Sequence, residues 1–90
     1  MIAVYKYIIN HSSKAIEIPD KAEILTVAFQ GEDLCFWAKV DTDNVTRIRN
    51  FQAFGTGHKI PFQMGVEFEF VGTGFMDNGL VFHLFERVGL

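Results

Sequence analysis

Ile24-Leu25-Thr26-Val27-Ala28-Phe29-Gln30-Gly31-Glu32-Asp33-Leu34-Cys35-Phe36-Trp37-Ala38-Lys39-Val40-Asp41 decides the fold class of this chain. Two runs rich in β-branched and aromatic residues, Ile24–Gln30 and Leu34–Asp41, flank Gly31-Glu32-Asp33, the pattern of a β-hairpin. Alternation along the second arm puts Leu34, Phe36, Ala38 and Val40 on one face and Cys35, Trp37, Lys39 and Asp41 on the other. The first set is a core face. Trp37 falls on the mixed, more polar face, where it can stack on a base or pack against a partner.

The same reading extends outward from the hairpin. Ile2 to Ile9 reads as a strand, Asn10-His11-Ser12-Ser13 as a turn and Ala15 to Ile18 as a short strand. Pro19-Asp20-Lys21 reads as a tight turn with Pro19 setting φ at its start, and Pro19 also interrupts any helix over 14–23. Thr42-Asp43-Asn44 is a polar turn before a strand over Thr46 to Phe54. Val66-Glu67-Phe68-Glu69-Phe70 alternates as a half-exposed strand should. Asn78-Gly79 predicts a type I′ turn pairing Val66–Asp77 with Leu80–Val88. Leu80 to Glu86 is apolar on both faces except at His83, which predicts cover on both sides. About seven short strands predict one all-β domain over residues 1–90, a small antiparallel sandwich or barrel-like fold.

Ninety residues suffice for one modest core, and 49% hydrophobic against 21% charged residues marks a globular chain. Ten phenylalanines exceed what so small a core needs, so some aromatic surface is expected to face a ligand or another subunit. A net charge of −3 argues against long nucleic acid, which requires a broad basic surface. The single cysteine, Cys35, has no internal disulfide partner, which suits a reducing compartment. Residues 1–7 lack the basic start and long apolar region of a secretory signal, and no apolar run reaches the ~18 residues of a membrane span. A cytoplasmic protein is the expectation.

Phe54-Gly55-Thr56-Gly57-His58-Lys59-Ile60-Pro61 carries the densest chemistry. Glycines permit φ > 0 and close backbone approach, successive N–H groups can cradle an anion, and His58 and Lys59 add donors and charge. The run also reads as an ordinary turn between strands. It lacks the third glycine of a dinucleotide fingerprint and the Gly-Lys of a Walker loop. Arg47 and Arg49 share one face of the preceding strand and can fork onto a phosphate, or else form a solvated face. His11, His58, His83 and Cys35 lack metal-ligand spacing, and no nucleophile elbow surrounds Ser12 or Ser13. Cys35 reads as inert packing. These residues predict no metal, no cofactor and no catalysis. Gly-Thr-Gly occurs at both 55–57 and 72–74, without making a structural repeat.

Tyr5-Lys6-Tyr7, Ile18-Pro19, Ala22 to Val27, Leu34 to Asp41, Gly55-Thr56-Gly57-His58, Ile60-Pro61 and Val81 to Glu86 together resemble a family of short phage proteins with a Gly-Thr-Gly-His motif. The resemblance runs almost end to end. Lys59 departs from it, since the family pattern implies proline there. The resemblance extends in job to phage anti-CBASS sponges, which capture a cyclic dinucleotide immune signal without cleaving it. The residues' own chemistry offers Trp37, Arg47, Arg49, Phe54, Gly55, Thr56, Gly57, His58 and Lys59 to hold such a ligand. Trp37 on its mixed face and the excess of phenylalanine predict a homo-oligomer, dimer or tetramer, and the resemblance implies that it works in the cytoplasm of an infected bacterium. The alternative is a phage structural or protein-interaction module with no nucleotide ligand. A ninety-residue β domain fills its interior with side chains, so a dinucleotide would have to sit between subunits.

Overall fold

The computed structural model describes residues 1–10 and 13–89. Seven antiparallel strands form a two-layer sandwich: β1 (Ile2–Ile8), β2 (Lys14–Pro19), β3 (Glu23–Gln30), β4 (Asp33–Asp41), β5 (Thr46–Gly55), β6 (Val66–Phe75) and β7 (Val81–Gly89). One sheet has the order β1-β4-β3 and the other β2-β5-β7-β6. The turn expected at 10–13 lies partly outside the described residues.

The hairpin that decides the fold is β3–β4, closed by Gly31-Glu32 between the paired Gln30 and Asp33. Gly31 has φ 61° and Glu32 does not take positive φ, which is the pattern of a II′ loop with glycine first. Leu34, Phe36, Ala38 and Val40 are fully buried, as the alternation requires. Phe36 meets Phe51 of the opposite sheet at 4.8 Å between ring centroids and Tyr7 at 5.1 Å. Ile16, Ile18 and Leu84 complete the centre of the core. β7 is covered fully on its inner side at Leu84, and half-covered on its outer side at His83 and Phe85.

One turn differs from its sequence expectation and a second matches it. Gly79 N–H donates to Met76 O (3.0 Å) and Met76 N–H to Leu80 O (2.9 Å). Gly79 has φ 89° while Asn78 stays out of the positive-φ region. The turn therefore centres on Asp77-Asn78 and ends in a left-handed glycine, the three-residue hairpin loop rather than type I′. Asn78 Oδ1 accepts from Leu80 N–H at 3.1 Å, an Asx contact that competes with the left-handed conformation type I′ would need. In the second turn Ala22 N–H donates to Pro19 O at 3.2 Å and Lys21 has φ 64°. Pro19 thus ends β2 and opens the turn, at the start of the tight turn where the sequence placed it.

A bulge at Val71 governs β6. Phe70 pairs with Phe85, but Gly72 already pairs with Leu84. The extra residue flips the side-chain phase. Phe68 and Phe70 face outward, while Gly72 and Gly74 face the other sheet. A Cβ on Gly72 would lie 2.6 Å from Val27 Cγ2, and one on Gly74 2.7 Å from Leu34 Cδ1. Glycine at both positions lets β6 close against β3.

Candidate functional site

β5 ends in the turn Gly55-Thr56-Gly57-His58, closed by His58 N–H donating to Gly55 O at 3.0 Å. Gly57 has φ 87°, so the third turn position is left-handed, the type II pattern that favours glycine. The His58 ring lies over Gly55, where an added Cβ would meet Cε1 at 2.9 Å. The turn faces the β6–β7 hairpin across a cleft of about 330 Å³ lined by Gly55, Thr56, His58, Leu80, Val81 and Phe82. Glycine backbone and apolar side chains form its floor, and the His58 imidazole and Thr56 hydroxyl give it polar edges.

Thr56 N–H donates to Val81 O at 3.2 Å, so both Thr56 and His58 use their N–H groups within the protein. An anion there meets side-chain donors rather than the backbone nest that the glycines suggested. Lys59, exposed beside the turn, supplies a further positive charge. Phe54 is 8% exposed and packs edge-on against Phe68 and Phe85 at 5.5 and 5.8 Å between centroids. It supports the turn from the outer face of the sheet instead of touching the cleft.

The structure does not bring the other sequence-derived candidates to this cleft. Trp37 pairs in register with Lys6 and Thr26 and is half-buried on the outer face of the three-stranded sheet, on the opposite side of the sandwich. Arg49 lies six residues back along β5, about 20 Å at the ordinary strand rise. Its guanidinium is engaged by Glu86 through Nε–Oε2 (2.8 Å) and Nη2–Oε1 (2.7 Å), and Nη1 donates to Ala22 O at 3.0 Å. That hydrogen-bonded partner raises the Arg49 pKa against the opposing cost of burial. Arg47 pairs with Asp20 at 3.4 Å. Lys21, Arg47 and Arg49 share the surrounding cleft with Asp20, Glu69 and Glu86, so its charges balance and both arginines are already engaged by carboxylates.

Sequence reasoning missed Leu80, Val81 and Phe82 as cleft residues, and His83 as a hub. Thr56 Oγ1 lies 2.8 Å from His83 Nε2 and Thr73 Oγ1 lies 3.0 Å from Nδ1. A neutral imidazole donates to one hydroxyl oxygen and accepts from the other hydroxyl, so the pair of threonines fixes the ring. The available clue was the strand register: His83 pairs with Phe54 on one side and Thr73 on the other.

The family model described as Domain of unknown function (DUF7352) matches residues 1–89. The chain belongs to that family. No curated protein and no solved structure matches the chain.

Proposed function

We propose that this protein is a non-catalytic binding module that captures a small anionic ligand, a cyclic dinucleotide, and holds it intact. The observation that carries the reading is the cleft of about 330 Å³ between the Gly55–His58 turn and Leu80–Phe82. Its apolar floor suits the face of a base, and Thr56, His58 and Lys59 suit phosphate and ribose oxygens. The sequence resemblance supplies the cyclic dinucleotide and the phage context.

One cleft offers few donors. Nanomolar capture requires about −12 kcal/mol. A stacked base contributes ~1–3 kcal/mol and each charge-assisted hydrogen bond ~1.5–3 kcal/mol. Two clefts acting on one ligand reach that total more readily than one, so the reading includes a homo-oligomer with the ligand between copies. The test is to incubate the protein with cyclic GMP–AMP, denature it and chromatograph the nucleotide. Retention and recovery of intact nucleotide supports capture. Cleaved nucleotide replaces it with an enzymatic reading, and no retention removes it.

A second reading, a phage structural or protein-interaction module, is favoured by a specific surface. Phe70 and Phe75 on β6 are 62% and 70% exposed, and Phe62 and Met64 in the preceding loop are 91% and 87% exposed. Apolar exposure on this scale marks a docking surface.

A further inference from the structure

The sandwich has four strand edges, β1 and β3 in one sheet and β2 and β6 in the other. Three of them carry features that discourage pairing with another chain. β2 is six residues long, holds Glu17 and ends in Pro19. β3 is bulged between Ile24 and Thr26. β6 is bulged between Phe70 and Gly72 and carries Glu67 and Glu69. β1 has none of these. Its seven residues run from Ile2 to Ile8 in unbroken register with β4, without glycine, proline, bulge or acid. Ile2 and Val4 are 63% and 57% exposed.

The β1–β4 ladder fixes which backbone groups of β1 face outward. Thr42 N–H donates to Met1 O at 2.8 Å at one end, and Ile9 N–H donates to Leu34 O at 2.7 Å at the other. Both pairs continue the register of the ladder, so the odd-numbered residues of β1 bond to β4. The N–H and C=O groups of Ile2, Val4, Lys6 and Ile8 therefore point to the free edge. Among the described residues no strand pairs with that edge. Ile8 O accepts from Lys14 Nζ at 3.1 Å and keeps a second lone pair.

We infer that β1 docks a second copy of this chain, pairing antiparallel with its own image about a two-fold axis at Tyr5. Only registers that join even-numbered residues bring the outward groups together. A register centred on Lys6 sets Lys6 against Lys6 of the second copy, and one centred on Val4 leaves Ile8 unpaired. The Tyr5-centred register pairs Ile2 with Ile8 and Val4 with Lys6, twice over, and uses every outward group. Lys6 Nζ is drawn aside to Gln30 Oε1 at 2.8 Å, which leaves the apolar stem of Lys6 against Val4. On the other face Tyr5 meets its own image and Ala3 meets Tyr7, in the closer pairs that lack hydrogen bonds. Charge favours the same orientation. Asp41, in register with Ile2, shares the one amino group of Met1 with Asp43, at 3.1 and 2.7 Å. Lys14, at Ile8, contacts a neutral carbonyl. Antiparallel pairing brings the Lys14 end of each copy to the Asp41–Asp43 end of the other. The two three-stranded sheets become one of six strands, and closed symmetry leaves no β1 edge open.

This dimer goes beyond the capture reading and does not set two clefts on one ligand. The Gly55–His58 cleft lies at the Ile8 end of the sandwich, because Gly74, in register with Phe82, approaches Leu34. Ile8 and its image stand about 20 Å apart along the paired strands, with one cleft towards each end. A ligand shared by two clefts then joins two such dimers.

The test is sedimentation of the full chain without nucleotide, on the native protein, Val4→Lys and Val4→Glu, with unfolding curves confirming that both variants fold. The native protein is expected to dimerise within the micromolar range. Val4→Lys sets a lysine opposite Lys6 at two symmetric places and weakens the dimer about tenfold, whereas Val4→Glu sets a carboxylate there and holds or tightens it. A Val4-centred register is weakened by both variants, because position 4 then meets itself. Amide exchange followed by NMR reads the native protein independently of any variant: the Val4 and Lys6 N–H groups exchange slowly in the dimer and faster on dilution. A monomer at every concentration overturns the inference, as do equal effects of Val4→Lys and Val4→Glu, or exchange at Val4 and Lys6 that ignores concentration. A dimer that forms only with cyclic GMP–AMP and is lost in His58→Ala places the contact at the cleft, and this inference fails while the capture reading stands. A nucleotide-free dimer with the expected response to both variants, in a protein that retains no nucleotide, upholds this inference and removes the capture reading alone.

Discussion

Gly55-Thr56-Gly57 and Gly72-Thr73-Gly74 are the same tripeptide put to opposite uses. At 55–57 the glycines make a surface turn, with Gly57 at φ 87° and the His58 ring seated over Gly55. At 72–74 they lie within β6 and let the two sheets approach where side chains would collide with Val27 and Leu34. The first copy depends on backbone conformation and the second on space. Their threonines nevertheless meet, because Thr56 and Thr73 hold the two nitrogens of the same His83 ring. Identical residues acquire different roles from the phase of the strand they sit in, and the Val71 bulge sets that phase for the second copy.

The largest expected effect falls on the second copy. Gly72→Ala places its Cβ 2.6 Å from Val27 Cγ2 and 2.9 Å from Val27 Cβ, next to a stiff β-branched side chain. Overpacking of this kind costs about 1–3 kcal/mol, and the upper end applies because Val27 cannot rotate clear. Denaturant unfolding should show it as a lower midpoint with an unchanged slope. Gly57→Ala meets nothing within 4 Å, so its cost is confined to the left-handed backbone, about 1 kcal/mol. A Gly57→Ala loss as large as that of Gly72→Ala would break the distinction between conformation and space.

Smaller again is the shared imidazole. Thr56→Val and Thr73→Val each remove one hydroxyl partner of His83 and should each cost about 1 kcal/mol. The double variant should depart from the sum of the two, since both act on one ring. Strict additivity would mean that the ring is not held as a unit. The smallest effect sets a baseline outside both tripeptides. Burial pushes the Cys35 thiol pKa up. The folded state therefore holds the thiol proton more tightly than the unfolded chain does. This contribution is fully present below the ordinary thiol pKa and is lost as pH rises through the raised one. Stability should decline slightly at alkaline pH, and Cys35→Ser should remove that decline while leaving the neutral-pH ranking of the glycine variants intact.

The all-β class, the strand count and the buried face Leu34, Phe36, Ala38 and Val40 were legible because a period of two survives wherever one face is buried. Gly57 was legible as a left-handed turn residue because glycine takes positive φ without a Cβ clash. The bulge at Val71 was not, because one extra residue in an otherwise regular strand leaves no compositional trace. Phe68, Phe70, Gly72 and Gly74 share a phase in sequence and occupy opposite faces in the fold. Arg47 and Arg49 read correctly as neighbours on one face, but their carboxylate partners Asp20 and Glu86 come from elsewhere in the chain. Trp37 is separated from the Gly55–His58 turn by the thickness of the sandwich, a relation that only the stacking order of the sheets reveals.

The central claim is that a cyclic dinucleotide binds at the Gly55–His58 turn. Calorimetry with cyclic GMP–AMP on the native protein, His58→Ala and Gly57→Val tests it most directly, with unfolding curves confirming that both variants fold. The account predicts binding to the native protein, a loss of about tenfold to a hundredfold in His58→Ala for one donor worth ~1–3 kcal/mol, and a larger loss in Gly57→Val. A β-branched residue at φ 87° cannot hold the turn that presents His58. Unchanged affinity in both folded variants, or no heat across a panel of cyclic dinucleotides, would contradict it.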